Sequence, residues 1–152
     1  MSEALLKQKN TKKLKVFKDQ RGYLFEALRN DDKIYQGKFG QVLISTSKPG
    51  TMRAWHMHEK QTDYTCCIKG KILLTTAIEN KKGKTKIKKY ILGENKPRLV
   101  RVPPNTWHGY KALGKKEAVV LYVMDKAYNA KNPDEQRKPL DAFGKDIWKT
   151  KK

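Results

Sequence analysis

The chain of 152 residues has little cysteine, little histidine and few acids, and each shortage narrows what it does. Its two cysteines, Cys66 and Cys67, are adjacent, which excludes a disulfide-stapled scaffold, because neighbours on a strand point to opposite faces and bridge only with strain. Buried, reduced thiols and a cytoplasmic location are the expectation. Long apolar runs are missing. The opening Met1-Ser2-Glu3-Ala4-Leu5-Leu6-Lys7 has neither the core of a secretory signal nor the length of a membrane span, so no membrane partner is expected. There is no internal repeat, low-complexity linker or helix-length amphipathic segment in the middle of the chain, which points to a single domain over 1–152 that is not a helical bundle.

Acidic residues number 15 against 35 lysines and arginines, for a formal charge of +20. So basic a chain invites a nucleic-acid reading. The charge is nearly all lysine, spread in pairs such as Lys12-Lys13, Lys81-Lys82, Lys88-Lys89, Lys115-Lys116 and Lys151-Lys152. A reader of bases or phosphates favours arginine with aromatics interleaved on one face. The pattern is a solvated surface, and no specific nucleic-acid partner is expected. A positive field still raises encounter rates with an anionic small molecule.

Short β-rich runs separated by turn signals fill the chain. Strands are predicted over 13–17, 22–29, 39–46, 52–58, 62–69, 71–78, 86–91, 98–102, 107–112 and 118–124. Ser47-Lys48-Pro49-Gly50, Lys69-Gly70-Lys71 and Pro103-Pro104-Asn105 break them. A short helix is predicted over 132–138, where Asn132-Pro133 is followed by acids. The pattern is that of an all-β barrel or double-sheet jelly roll.

All three histidines fall in one spacing: Gly50, five residues, His56-Met57-His58, four residues, Asp63, six residues, Gly70, and later Pro103-Pro104-Asn105-Thr106-Trp107-His108. His-x-His on a strand turns both imidazoles to one face. His56, His58, Asp63 and His108 form a three-imidazole, one-carboxylate set that suits Fe, Mn, Ni or Zn with open positions for substrate. Trp55 and Trp107 flank the histidines and are expected to pack the outer face. Arg53 is three residues from His56 and shares its face only if the strand is bulged. Tyr122 lies in an apolar strand and reads on residue type alone as a core tyrosine.

The spacing resembles both cupin signature motifs, with Asp63 where Glu is usual and Asn105 in place of Gly. Collinear segments resemble the dTDP-4-dehydrorhamnose 3,5-epimerase family more closely. They are Asp19-Gln20-Arg21-Gly22-Tyr23-Leu24-Phe25-Glu26, Gly40-Gln41-Val42, Met52-Arg53-Ala54-Trp55-His56, the stretch from Leu99 to Tyr110, Leu121-Tyr122-Val123, Asn132-Pro133-Asp134-Glu135-Gln136-Arg137 and Asp146-Ile147-Trp148. The resemblance implies a cupin-type double-stranded β-helix, a jelly-roll barrel, closed by the short C-terminal helix. It implies an isomerase of dTDP-4-keto-6-deoxy-hexoses in carbohydrate biosynthesis, working without a cofactor and commonly as a homodimer.

The residue types suit that chemistry. A proton beside a ketone is removable by an imidazole, the enolate wants a donor or cation, and inversion needs an acid on the other face. By resemblance His56 is the base and Tyr122 the acid, while Arg21, Glu26, Gln41, Arg53 and His108 hold the substrate. Two positions depart from the family: Asp63 replaces a lysine near the enolate, and Leu74 replaces an aspartate that supports the catalytic histidine. The alternatives are a metal-dependent cupin enzyme using His56, His58, Asp63 and His108, a nucleotide-sugar 3,4-ketoisomerase, whose His-Ala-His motif Arg53-Ala54-Trp55-His56-Met57-His58 resembles, and a sugar-nucleotide binding protein without turnover.

Overall fold

Period-two alternation decides which residues of the chain meet. In a computed structural model that describes residues 9–150, the strands are β1 (Thr11–Lys13), β2 (Val16–Asp19), β3 (Gly22–Phe25), β4 (Gln41–Ser47), β5 (Met52–Met57) and β6 (Asp63–Lys69). They continue as β7 (Lys71–Glu79), β8 (Thr85–Gly93), β9 (Arg98–Val102), β10 (Trp107–Leu113), β11 (Ala118–Met124) and β12 (Gln136–Arg137). One sheet has the order β1-β9-β6-β11-β4, a second β12-β5-β10-β7-β8, and β2-β3 forms a separate hairpin. The opening segment 1–7, read above for a leader, lies outside the described residues. None of the described residues forms a helix long and apolar enough to cross a membrane.

The two large sheets face each other over an interior of Cys67, Ile72, Leu74, Val100, Tyr110 and Val120, which are all buried. Cys66 points the other way, into an outer cluster with Leu14, Ile34, Tyr64 and Leu99. The adjacent thiols therefore face opposite sides and are unpaired, as expected. Burial pushes Cys66 up to about 12 and Cys67 up to about 11, so both stay protonated and inert.

A third cluster, Trp55, Ala77, Trp107, Ile147 and Trp148, lies outside the second sheet, beneath the C-terminal segment. Trp55 is fully buried, its ring 4.8 Å from both Phe143 and Trp148, with Nε1 donating to the Leu140 carbonyl. Trp55→Ala is expected to cost about 3–5 kcal/mol, read as a lowered urea midpoint, because the cavity cannot collapse against strand backbone. An unchanged midpoint would show that the C-terminal segment adds nothing to the core.

Nine of the ten predicted strands recur, those over 98–102 and 118–124 with the same ends and the other seven with shifted ends. The strand predicted over 13–17 is two, because Leu14 turns into the outer cluster and its N–H bonds the Pro97 carbonyl. The strand predicted over 22–29 stops at Phe25, and Ala27 and Leu28 pack as loop residues.

The helix predicted over 132–138 is absent. That segment runs extended, with Gln136 and Arg137 paired to Met57 and His56 of β5. Seven residues are too few to carry the nucleation cost of a helix, and the tertiary partners on offer satisfy the same backbone.

Candidate active site

A cavity of about 820 Å³ opens between the two sheets. That is room for a nucleotide-sugar-sized ligand. His56, from β5 of the second sheet, and Tyr122, from β11 of the first, both line it, as do Gln41, Arg53, His108 and Leu74.

Arg53 reaches the cavity because the strand is bulged. His108 pairs with His56 but Tyr110 pairs with Arg53, so three steps on β5 face two on β10. Gly109 permits the close approach: a Cβ there would lie 2.2 Å from the Ala54 Cβ. Asn105 has a φ of 59°, which explains why Asn can stand at a position where Gly is usual. Its N–H bonds the His58 carbonyl and ties the two histidine strands together.

Each histidine is oriented through Nδ1. His56 Nδ1 lies 2.8 Å from Glu135 Oε1, His58 Nδ1 bonds the Asp134 carbonyl, and His108 Nδ1 lies 3.0 Å from the Thr106 carbonyl. A carbonyl or ionised carboxylate only accepts, so Nδ1 carries the proton in each ring, and Nε2 of His56 is left for chemistry. Burial lowers His56 below the usual imidazole value, against the pull of Glu135, and keeps it a free base at neutral pH.

Asp63 is buried, with Oδ2 3.5 Å from His108 Nε2 and 3.8 Å from His58 Nε2, and Oδ1 accepting from Gln61 at 2.7 Å. Burial raises its carboxyl, but His108, His58 and Gln61 together outweigh this and leave it below the usual range. Burial likewise opposes a charged His108, yet Asp63 outweighs it and raises the imidazole. His58, Asp63 and His108 bring one ligand atom each to within 4.8 Å of one another. His56 is not in that group, so the four-residue metal set read from the sequence reduces to three: its ring is held away by Glu135.

Burial, then Tyr110, raises the Tyr122 hydroxyl, so it remains an O–H donor. Its neighbours form a chain: Ser45 Oγ lies 3.4 Å from Tyr122 and 3.0 Å from Tyr110, Tyr110 lies 2.8 Å from Ser47 Oγ, and Arg53 Nε donates to that oxygen at 2.9 Å. Gln41 accepts the Tyr128 N–H through Oε1, which fixes the cavity mouth.

Arg21 and Glu26 are not brought into this cavity. Both line a shallow depression on the β2-β3 hairpin, where Arg21 pairs with Asp19 and Glu26 with Arg29. Sequence reasoning missed Asp134 and Glu135 as site residues. The signal was the acid pair after Asn132-Pro133, which reads equally as the first turn of a helix.

Asp134 also straps the loop before β6: its carboxylate accepts the N–H groups of Glu59, Lys60 and Gln61 at 2.8, 2.9 and 3.1 Å. Burial raises its carboxyl, but these three donors outweigh that and lower it from the ordinary 3.8. A depressed carboxylate contributes stability above its unfolded value, lost as pH falls through the lower folded value. Asp134→Ala is expected to cost about 1 kcal/mol at pH 7 after allowance for solvent screening. Thermal melts should show the difference between wild type and variant shrinking below pH 3.8. A difference independent of pH would count against the ionised strap.

The chain matches the family described as "Polysaccharide biosynthesis C-terminal domain" over residues 17–136. It is 36% identical over 132 residues to the spore coat polysaccharide biosynthesis protein SpsL of Bacillus subtilis, covering 86% of this chain and 87% of that protein. It is 34% identical over 131 residues to the probable low-salt glycan biosynthesis epimerase Agl13 of Haloferax volcanii, covering 84% of each. Among solved structures it resembles a dTDP-4-dehydrorhamnose 3,5-epimerase from Sulfolobus tokodaii, with a TM-score of 0.74 and 26% identity, over 86% of this chain and 76% of that one.

Proposed function

Because the chain belongs to the polysaccharide-biosynthesis C-terminal domain family and is a diverged member of the dTDP-4-dehydrorhamnose 3,5-epimerase group of cupins, we propose that its cavity epimerises a dTDP-4-keto-6-deoxy-hexose. The supporting observation is the placement of a free-base His56 and a protonated Tyr122 on opposite sheets of one cavity. His56 Nε2 takes a proton from a carbon beside the ketone, and the bonding pair moves into the enolate. Tyr122 delivers a proton from the other face. Asp63 lies 3.5 Å from His108 Nε2 and raises that imidazole, so it faces the enolate as half of a histidine–carboxylate pair rather than as a bare anion. Arg53 suits the diphosphate through its planar fork.

Arg21 and Glu26 meet a substrate in this scheme only across a homodimer. The hairpin exposes Val16, Phe17, Tyr23 and Leu24, and the edge strand β4 exposes Val42 and Ile44, apolar surface suited to pairing. Light scattering showing a monomer at working concentration would remove both residues from the site. The buried, unpaired thiols suit a cytoplasmic protein.

The test is proton NMR in deuterated water with dTDP-4-keto-6-deoxyglucose. Exchange beside the ketone with an inverted product supports the epimerase, and a migrated ketone indicates a ketoisomerase. A second reading rests on His58, Asp63 and His108, whose Nε2 and carboxylate spacings suit Fe, Mn, Ni or Zn with open positions. Such an ion would polarise the ketone oxygen. Metal analysis of the purified protein, and its loss in Asp63→Lys, separates this reading from the first.

A further inference from the structure

We propose that Glu135 is the positioning carboxylate of His56, delivered by the C-terminal strap. The inference rests on the epimerase reading for its kinetic consequence and on geometry alone for the pairing. Leu74 is buried among Tyr110, Val120 and Ile72 and offers His56 nothing polar. Glu135 comes to His56 because Arg137 of β12 sits in register with His56 of β5.

Its two oxygens are divided. Oε2 accepts from Arg137 Nε at 3.1 Å and Nη2 at 2.9 Å, and Oε1 is left for His56 Nδ1 at 2.8 Å. Glu135 thus cannot swing away without breaking the Arg137 fork. The preceding residue is pinned as well, since the Asp134 carboxylate holds three backbone N–H groups and its carbonyl receives His58.

The effect is on tautomer and aim. An ionised Glu135 only accepts, so the imidazole proton stays on Nδ1 and the Nε2 lone pair is left free to act as the base. Burial raises the Glu135 carboxyl, but Arg137 and His56 together outweigh it and keep it ionised. A segment that the sequence pattern assigns to a peripheral helix therefore completes the base.

Two measurements on the full chain test this. In Glu135→Gln, an isosteric change, kcat for deuterium exchange into dTDP-4-keto-6-deoxyglucose should fall about 10- to 100-fold with KM within about threefold. Long-range nitrogen–proton NMR should show His56 as the Nδ1–H tautomer in wild type and a tautomer mixture in Glu135→Gln. Unchanged kcat and tautomer, or a loss confined to KM or thermal stability, would overturn the proposal. Should the wild type exchange nothing, the epimerase reading fails, while the tautomer spectrum still decides the pairing. Glu135→Asp, one methylene short, should recover neither.

Discussion

His56→Asn abolishes solvent exchange beside the ketone while leaving substrate binding intact: that is the largest effect expected of any single change. Asn keeps a polar group of similar reach but cannot accept a proton at neutral pH, so the general-base contribution of about 10²- to 10⁴-fold is removed. Burial holds His56 below the usual imidazole value, so the wild-type base is ready at neutral pH without first losing a proton. Binding falls to other residues. Arg53 and Gln41 line the cavity independently, anchored to Ser47 and Tyr128. Ligand titration followed by NMR should therefore give a dissociation constant within a fewfold of wild type. Exchange persisting in His56→Asn would move the base to His58 or His108 and dismantle the assignment.

Tyr122→Phe should separate exchange from inversion. His56 stands on one sheet and Tyr122 on the other, so in the proposed reaction each addresses a different face of a sugar ring held between them. Without the hydroxyl, His56 can still remove a proton and return a deuteron to the same face. Deuterium then accumulates in unchanged substrate, while inverted product falls by about 10²-fold or more. The phenyl ring preserves the packing against the interior cluster, so the fold should be retained. Loss of exchange together with inversion would show that Tyr122 serves the first proton transfer as well, or that its contact with Ser45 and Tyr110 organises the cavity.

The strand map was legible wherever both faces of a strand had opposite tasks. Cys66 and Cys67, and Trp55 beside His56, lie on the opposite sides that alternation assigns them. Legibility failed where a residue's partner came from far along the chain. Asp134 and Glu135 bond to residues 59–61 and His56, more than 70 positions away, and no local pattern carries that information. Arg53 is a subtler case: its spacing from His56 is wrong for a regular strand, and the bulge against Gly109 corrects it.

By itself the sequence determined the β-rich plan, the convergence of three histidines and a carboxylate, and the tyrosine strand, because period-two alternation and turn chemistry are local. Only the tertiary structure decided that Nδ1 is the tethered nitrogen of each histidine. It also separated His56, tied to Glu135, from the His58, Asp63 and His108 group, and it kept Arg21 and Glu26 out of the cavity of their own chain. Those outcomes depend on hydrogen-bond partners and burial supplied by distant segments, and such partners exist only once the two sheets and the C-terminal strap have closed on one another.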